Sequence, residues 1–227
     1  MKTSSSNELS RRLNIGCGYD KREGYVNVDV DPACEPDILV SLLDDSGIPR
    51  QYFDEVLAHD VLEHIPRSAT LSALLTWSDY LQPGGKLVIQ TSNVEGVIDM
   101  MRANPKFDHQ FGMTICMFGN QAHPGDFHYT GFTPLTLRVY LLAAGFVIDS
   151  METIDGWLLS AVCRKQDDWT SDVMAEDVVA AGFQRAFGRE PDPHNWVALE
   201  GVPPKEALHA IWSSPERLFV TARNHGL

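Results

Sequence analysis

Residues 13 to 32 read LNIGCGYDKREGYVNVDVDP, and this stretch decides the fold. A short apolar run ends in Gly16, Cys17 and Gly18, and a second apolar run, residues 26–30, is interrupted and followed by acids. Glycines after a strand allow a tight turn and a close approach of ligand to backbone. A carboxylate at the end of the next strand, here Asp29, suits the two hydroxyls of a ribose. The stretch therefore predicts an open α/β sheet that holds a nucleoside-bearing cofactor at the carboxyl ends of its strands.

The connection between these two strands is unusually short, because only residues 18–25 separate them. Parallel strands normally need a longer crossover, usually a helix. Eight extended residues reach about 26 Å, whereas a five-residue strand is about 17 Å long, so a bare loop can make the return. An antiparallel hairpin with a glycine-rich loop is the alternative.

Length, composition and charge bound the class of protein. The 227 residues are 44% hydrophobic, and this suffices for one domain of about 150 residues with a small appendage. The formal net charge of -13 opposes binding to nucleic acid or anionic membranes. No apolar run approaches the roughly 20 residues that span a bilayer, and residues 1–12 lack the apolar stretch of a signal peptide. The widely spaced cysteines are typical of free thiols in a reducing compartment: Cys17, Cys34, Cys116 and Cys163. We therefore expect a cytoplasmic protein with no nucleic-acid partner and no membrane span.

Downstream, apolar runs and turn signals predict five further strands and two helices. The expected strands cover residues 37–40, 53–58, 86–90, 146–150 and 157–164. One helix is expected from its cap Ser68 to Leu81, and a sharp break follows at residues 82–85. The other is expected from its cap Thr133 to Ala144.

Five segments, in this order, resemble class I S-adenosylmethionine-dependent methyltransferases, specifically a type 11-like group with a shortened N-terminal half. The segments are LNIGCG, VNVDVDP, FDEVLAHDVLEHI, LQPGGKLVIQTSN and LLAAGF. The resemblance implies an α/β, Rossmann-like domain over residues 9–166, after a flexible tail of residues 1–8. Its seven-stranded, mostly parallel sheet would have the order 3-2-1-4-5-7-6, with the last strand antiparallel. The resemblance also implies S-adenosyl-L-methionine as the cofactor.

The same resemblance implies a set of cofactor-binding residues: Gly16, Cys17, Gly18, Asp29, Val30, Leu43, Asp44 and His59. In such enzymes the glycine loop lies against the methionine part of the cofactor. The carboxylate after the second strand holds the ribose hydroxyls, and residues after the third strand flank the adenine. His59 would lie near the reactive methyl group.

Asp60, Glu63 and His64 would share one helical turn if their segment is helical. Oxygen and imidazole ligands at this spacing could hold a divalent cation. The cluster is similar to an E-x-x-E-H cluster that some methyltransferases use in this way, but Asp60 replaces the first glutamate. We therefore expect no metal, and a hydrogen-bonding role for Glu63 and His64 at the start of a helix.

Acceptor chemistry is expected from residues 94–132, because long loops in compact domains are usually lids or binding elements. Methyl transfer to a hydroxyl needs a group that accepts the proton, and histidine suits this task near neutral pH. His128 is the first candidate for the base, and His123 is the second. The alternative is a histidine that only orders the loop through backbone hydrogen bonds.

A change of composition predicts a linker at residues 167–171 and a small all-α module at residues 172–227. Part of this module resembles a helical domain of unknown function, the DUF4214 type, that is found on bacterial glycan-related proteins. Its expected core is Phe183, Phe187, Trp196, Leu199, Leu208, Ile211, Trp212 and Phe219.

The shortened N-terminal half leaves one sheet flank without covering helices. Because parallel sheets bury both faces, we expect the C-terminal helices or a second copy of the chain, as a homo-oligomer, to cover it.

Three functions are consistent with the sequence. The first is methyl transfer, at oxygen, to a small-molecule or glycan-linked acceptor. The second is a noncatalytic cofactor-binding or scaffold protein of the same fold. The third is another nucleotide-binding Rossmann enzyme, such as one that uses NAD. The third function is disfavoured for two reasons. The full G-x-G-x-x-G motif is absent, and Asp29 is closer to Gly18 in sequence than the usual spacing of about 20 residues between the glycines and the acid.

Overall fold

The computed structural model describes residues 9–40 and 47–227 of the chain. Within these residues, seven strands form one sheet. They are β1 (Arg12–Ile15), β2 (Val26–Asp29), β3 (Ile38–Leu39), β4 (Phe53–His59), β5 (Leu81–Ser92), β6 (Phe146–Ile154) and β7 (Leu158–Lys165). Their order is β3-β2-β1-β4-β5-β7-β6, and β7 is antiparallel to both of its neighbours. The sheet order expected from the resemblance is therefore confirmed.

Strands β1 and β2 are parallel, with Leu13 opposite Val26, so the hairpin alternative is wrong. Residues 18–25 make the return without a helix. Two buried asparagines hold this loop, because the Asn14 side chain donates to the backbone carbonyl of Asp20 over 3.0 Å and the Asn27 side chain accepts from the Arg22 backbone N–H over 2.8 Å. A short polar loop thus replaces the usual crossover helix.

The described residues form eight α-helices. They are α1 (Arg67–Tyr80), α2 (Val94–Ala103), α3 (Phe107–Phe118), α4 (Pro134–Ala143), α5 (Val178–Phe187), α6 (Pro193–Leu199), α7 (Pro204–Trp212) and α8 (Pro215–Asn224). None of the helices in the described part of the chain has the length and apolar character needed to cross a membrane.

Of the two helix caps predicted from the sequence, one is present and the other is not. Thr133 caps α4 in a capping box with Thr136, as predicted, because its side chain accepts from the Thr136 backbone N–H. Ser68 does not cap α1, since that helix begins at Arg67 and its N-cap is Pro66. The break expected at residues 82–85 is wrong too, because β5 begins at Leu81 and runs through these residues with a shift of register against β4.

The long segment between β5 and β6 is largely helical, which corrects the expectation of a loop over residues 94–132. Helices α2 and α3 occupy much of it, and Asn93 precedes α2 directly at the end of β5. The segment therefore places two helices near the carboxyl end of β5.

One face of the sheet is apolar and packs on α1 and α4. Leu13, Val56, Leu87 and Cys163 lie side by side on this face and are buried in the main core with residues of α1. A core that runs through four adjacent strands fixes which side of the sheet these helices cover.

The opposite face carries a row of charges. The strand register places Arg12, Glu55, Lys86 and Arg164 next to one another across β1, β4, β5 and β7. Lys86 pairs with Glu55 over 2.5 Å, and Arg164 pairs with Asp149 of β6 over 2.7 Å. This row of charged side chains can contact water. It therefore does not need the covering helices that an apolar sheet face requires.

The C-terminal helices pack on the outer sides of α1 and α4. Lys205 of α7 binds Asp79 of α1 over 2.7 Å, and Arg217 of α8 donates to the Ala143 carbonyl of α4 over 3.4 Å. Trp169, in the expected linker, is buried and donates to the Leu75 carbonyl over 3.0 Å. The expectation that these helices cover the charged face is therefore wrong, whereas cover by a second copy stays a prediction.

The core of the C-terminal helices was predicted in part. Phe183, Leu208, Ile211 and Trp212 are buried, and Phe187 and Leu199 pack partly against the core. Trp196 is 41% exposed and Phe219 is 72% exposed, so their assignment to the core is wrong.

Candidate functional site

The glycine loop follows β1 at the carboxyl edge of the sheet. Gly16 has φ +60, and a Cβ at this position would lie 2.5 Å from a methyl carbon of Val61. Gly18 has φ +48 and has open space where its Cβ would be. The backbone between them is fixed to β2, because the Cys17 N–H donates to the Val28 carbonyl over 3.0 Å. The loop is therefore a shaped backbone surface with space beside Gly18.

Asp29 ends β2 directly beside this loop. Its Oδ2 accepts from the Gly18 backbone N–H over 2.7 Å, and its Oδ1 accepts from the Asp31 N–H over 2.9 Å. Each carboxylate oxygen keeps a second lone pair, so the group can still accept a hydrogen bond from a ligand hydroxyl. Val30, the next residue, is 50% exposed. Asp29 is thus held in place before any ligand binds.

Cys17 is buried, and its burial, together with the charge of Asp29, raises the pKa of its thiol to about 11. The thiol therefore stays protonated near neutral pH, which removes it as a nucleophile. Its contribution is the backbone of the glycine loop. Leu43 and Asp44, expected to flank adenine, lie outside the described residues.

His59 ends β4. The residue before it, Ala58, lies opposite Ile15, which directly precedes the glycine loop. Its Nε2 is buried and has no hydrogen-bond partner among the described residues. Burial lowers the pKa of His59, so its ring is neutral at pH 7. A buried polar atom without a partner is costly unless a ligand satisfies it. The orphaned nitrogen and the glycine cradle together fit a bound cofactor.

Glu63 joins three segments at this edge of the sheet. Its carboxylate accepts from the Thr91 hydroxyl over 2.8 Å and from the Ser92 N–H over 3.3 Å, both at the end of β5. Its backbone carbonyl accepts from Tyr129 over 2.8 Å and from Thr130 over 3.1 Å. The side chain is 1% exposed, and burial raises the pKa of Glu63 to about 7. Glu63 therefore has a hydrogen-bonding role, but its side chain binds the end of β5 and not, as the sequence predicts, the start of a helix.

His64 and His128 meet edge to face, with ring centroids 4.6 Å apart. His64 Nδ1 lies 3.2 Å from the Phe127 carbonyl, and His128 Nδ1 lies 3.1 Å from the Cys116 carbonyl at the end of α3. A neutral ring must donate to a carbonyl, so these contacts assign the proton of each ring to Nδ1. Burial lowers the pKa of both histidines.

The two candidate bases differ in their free atoms. His128 Nε2 has no partner among the described residues, so its lone pair is free to accept a proton. His123 Nδ1 accepts from the Gly125 N–H over 3.2 Å, and its Nε2 lies 3.0 Å from the Asp126 carboxylate. Both nitrogens of His123 are therefore occupied, which favours His128 as the base.

Asp60, Glu63 and His64 do not converge. The carboxylate of Glu63 binds the end of β5, whereas the ring of His64 binds the carbonyl of Phe127. Across residues 9–40 and 47–227, no group of three or more His, Cys, Asp or Glu side chains is arranged to hold a metal ion. Asp60 has φ +52, a conformation that aspartate tolerates and that turns the chain at the end of β4.

Asn93 was not assigned a function from the sequence. It lies at the carboxyl end of β5, is 4% exposed, and its Oδ1 is buried without a partner in the described part of the chain. The signal was the polar triplet Thr91, Ser92 and Asn93 after an apolar strand. Asn93 and His59 therefore place two orphaned polar atoms at the ends of neighbouring strands.

No protein-family model matches the chain, and no curated protein matches it. Among solved structures, the chain is similar to a possible exported protein from Bordetella parapertussis, with 16% identity and a TM-score of 0.52. That match covers 69% of this chain and 61% of the Bordetella chain, so this chain spans less than two thirds of that protein. The chain is also similar to a SAM-dependent methyltransferase from Methanosarcina mazei, with 16% identity and a TM-score of 0.51, over 68% of this chain and 92% of the other. At these identities the likeness shows a shared fold.

Proposed function

We propose that this protein is an S-adenosylmethionine-dependent methyltransferase. The observation that carries the proposal is the Asp29 carboxylate, held by the Gly18 N–H at 2.7 Å beside a glycine loop at the carboxyl edge of the sheet. A fixed carboxylate at this place suits the hydroxyl pair of a ribose. The fold shared with the Methanosarcina mazei methyltransferase supports the same cofactor class.

The residues of the site have separate tasks in this proposal. S-adenosylmethionine supplies, when bound, an electrophilic methyl group on a sulfonium sulfur. The glycine loop of Gly16, Cys17 and Gly18 would hold the methionine part of the cofactor. The ribose would lie beside Asp29 and Val30. The buried Nε2 of His59 would form a hydrogen bond with the ligand. The helical segment 94–132 would exclude water and align the acceptor. Leu43 and Asp44 keep their proposed place beside the adenine.

His128 is the proposed base. With the cofactor bound, the acceptor oxygen would take the methyl group as the carbon–sulfur bond breaks and its electron pair stays on the sulfur. The hydroxyl proton would pass to Nε2 of His128, whose Nδ1 proton is already held by the Cys116 carbonyl at 3.1 Å. Burial keeps the pKa of His128 below its usual value, so Nε2 is unprotonated at pH 7. His123 would then order the loop through Asp126.

The finer points are also proposals. We propose a small-molecule or glycan-linked acceptor that is methylated at oxygen, in the cytoplasm, and a division into a methyltransferase domain at residues 9–166 and a helical module at residues 172–227. The glycan part of this proposal depends only on the resemblance of the C-terminal module to the DUF4214 type.

Calorimetry of the full chain with S-adenosylmethionine, S-adenosylhomocysteine and NAD tests the cofactor. We expect binding of the first two and none of NAD, whereas NAD binding alone would contradict the proposal. A methyl-transfer screen against nucleotide sugars and lipid-linked glycans, read by mass spectrometry, then looks for a product heavier by one methylene. Binding without transfer to any class of acceptor would favour the scaffold alternative.

A further inference from the structure

Helix α3 exposes four large apolar side chains in one row, here named the α3 stripe: Phe107, Phe111, Ile115 and Phe118. Their exposed fractions are 79%, 56%, 37% and 51%. The spacing of the four residues places them on one side of a helix. Phe107 and Phe111 stack on each other, with ring centroids 5.8 Å apart. The stripe therefore runs along the whole outer side of α3.

Two polar side chains of α3, His109 and Gln110, contact α2, whereas its large apolar side chains face outward. His109 Nε2 lies 3.1 Å from the Met100 carbonyl, and the Gln110 amide donates to the Met101 carbonyl over 2.9 Å, both near the end of α2. Rotation of α3 to bury its phenylalanines would break these two hydrogen bonds. The fold thus fixes the stripe on the outside.

The charge of this region points to the chemistry of its partner. Residues 109–125 contain no Asp, Glu, Lys or Arg, although 22% of the chain is charged. Charged side chains are costly at the boundary of a lipid acyl layer, so an uncharged aromatic segment suits that boundary. The net charge of -13 opposes anionic lipids. An electrically neutral, zwitterionic lipid surface meets both conditions.

We propose that the α3 stripe docks on the surface of a zwitterionic lipid layer, with its apolar side chains at the boundary between headgroups and acyl chains. The end of α3 contacts the candidate base, because the His128 N–H donates to the Phe118 carbonyl over 3.1 Å. A lipid surface bound by the stripe lies beside His128. This docking does not depend on the proposed methyl transfer, since it requires neither cofactor nor acceptor.

Flotation of the full chain with phosphatidylcholine vesicles tests the docking. We expect the wild-type chain to float with the vesicles and F107S/F111S to bind at least about 10-fold more weakly. Phe219 of α8 is 72% exposed and lies outside α3, so F219S is the matched control and should bind as the wild type does. Thermal unfolding of all three proteins verifies that they fold, which is expected because each substituted side chain is exposed.

Three results would overturn the proposal. The first is no flotation of the wild-type chain. The second is an equal loss of flotation in F219S and in the double variant. The third is a wild-type dimer in solution that F107S/F111S converts to a monomer while vesicle binding is unchanged, because the stripe would then be a contact between copies. Addition of anionic phosphatidylglycerol should weaken the flotation, and stronger binding would contradict the charge argument.

Discussion

The Gly18 N–H donates to the Asp29 carboxylate over 2.7 Å, and this bond joins the glycine loop after β1 to the end of β2. The bond orients the carboxylate that we propose for the ribose. Because a second oxygen of the same group accepts from Asp31 over 2.9 Å, the side chain has one orientation before binding. The short return loop therefore does not leave the carboxylate free to move.

Asp29→Asn should weaken binding of S-adenosylhomocysteine about 10- to 100-fold, since a hydrogen bond to a charged group is worth about 1.5 to 3 kcal/mol. Isothermal calorimetry measures this affinity. Asp31→Asn is the control, because Asp31 is exposed and its carboxylate accepts from the Ala33 N–H over 2.9 Å. An equal loss in both variants would show that Asp29 only shapes the loop.

Gly16→Ala should destabilise the protein more than Gly18→Ala. Both positions have positive φ, which costs about 1 to 2 kcal/mol for alanine, but only the Gly16 Cβ would lie 2.5 Å from Val61. The added overpacking gives a loss of about 2 to 4 kcal/mol for Gly16→Ala. Urea unfolding measures both variants. In a Val61→Ala background, Gly16→Ala should cost less free energy of unfolding than it does in the wild type. An equal cost in both backgrounds would show that backbone strain accounts for the whole loss.

The parts of the fold that were predictable depend on neighbours in sequence. The apolar run before Gly16 and the cap at Thr133 are local signals, and both are confirmed. Ser68 failed as a cap because Pro66, two residues earlier, takes the N-cap position. The helix α3 was missed since its aromatic side chains face outward, whereas a periodicity argument expects them to face the core.

The parts that were not predictable depend on strand register and on distant contacts. Glu55 and Lys86 form a pair only because β4 and β5 are neighbours, so the polar face of the sheet could not be read from either strand alone. The contact of His64 with His128 joins two distant segments. The free Nε2 of His128, which separates it from His123, also depends on the Cys116 carbonyl of α3.

Glu63 should make the stability of the protein depend on pH. Burial raises the pKa of Glu63 to about 7, from 4.5, so folding favours the protonated carboxyl. Its contribution is fully present below about pH 4.5 and is lost as pH rises through about 7. Glu63→Gln keeps the shape of the protonated group but does not titrate. From pH 5 to pH 8, the free energy of unfolding of the wild type should therefore fall by about 2 to 3 kcal/mol relative to that of Glu63→Gln.

Urea unfolding at several pH values measures this difference. The comparison with Glu63→Gln removes the contributions of the histidines, which both proteins share. Thr91→Val is a useful second variant, because it removes the hydroxyl that donates to Glu63 over 2.8 Å and should raise the pKa of Glu63 further. Parallel pH curves for the wild type and Glu63→Gln would contradict the buried ionisation.

His128→Asn should lower turnover about 10²-fold and leave the affinity for S-adenosylhomocysteine nearly unchanged. His123→Asn should change turnover only a few-fold, since both nitrogens of His123 are already occupied by Gly125 and Asp126. Burial and the neighbouring His64 lower the pKa of His128 below 6.5. Turnover of the wild type should therefore be level above pH 7 and fall as His128 gains a proton at lower pH. A loss of cofactor affinity in His128→Asn would instead indicate a structural role.

Trp212→Ala and Trp196→Ala test whether the C-terminal helices unfold with the sheet. Trp212 is 0% exposed and belongs to the same core as α1, and Arg185 and Arg217 contact its ring at 4.9 and 4.4 Å. Its removal should cost about 3 to 5 kcal/mol, whereas Trp196, 41% exposed, should cost under about 1 kcal/mol. Because the core is continuous, we expect Trp212→Ala to shift a single unfolding transition of the full chain, monitored by circular dichroism. Two transitions, of which only the first is shifted, would show instead that residues 172–227 unfold as an independent domain.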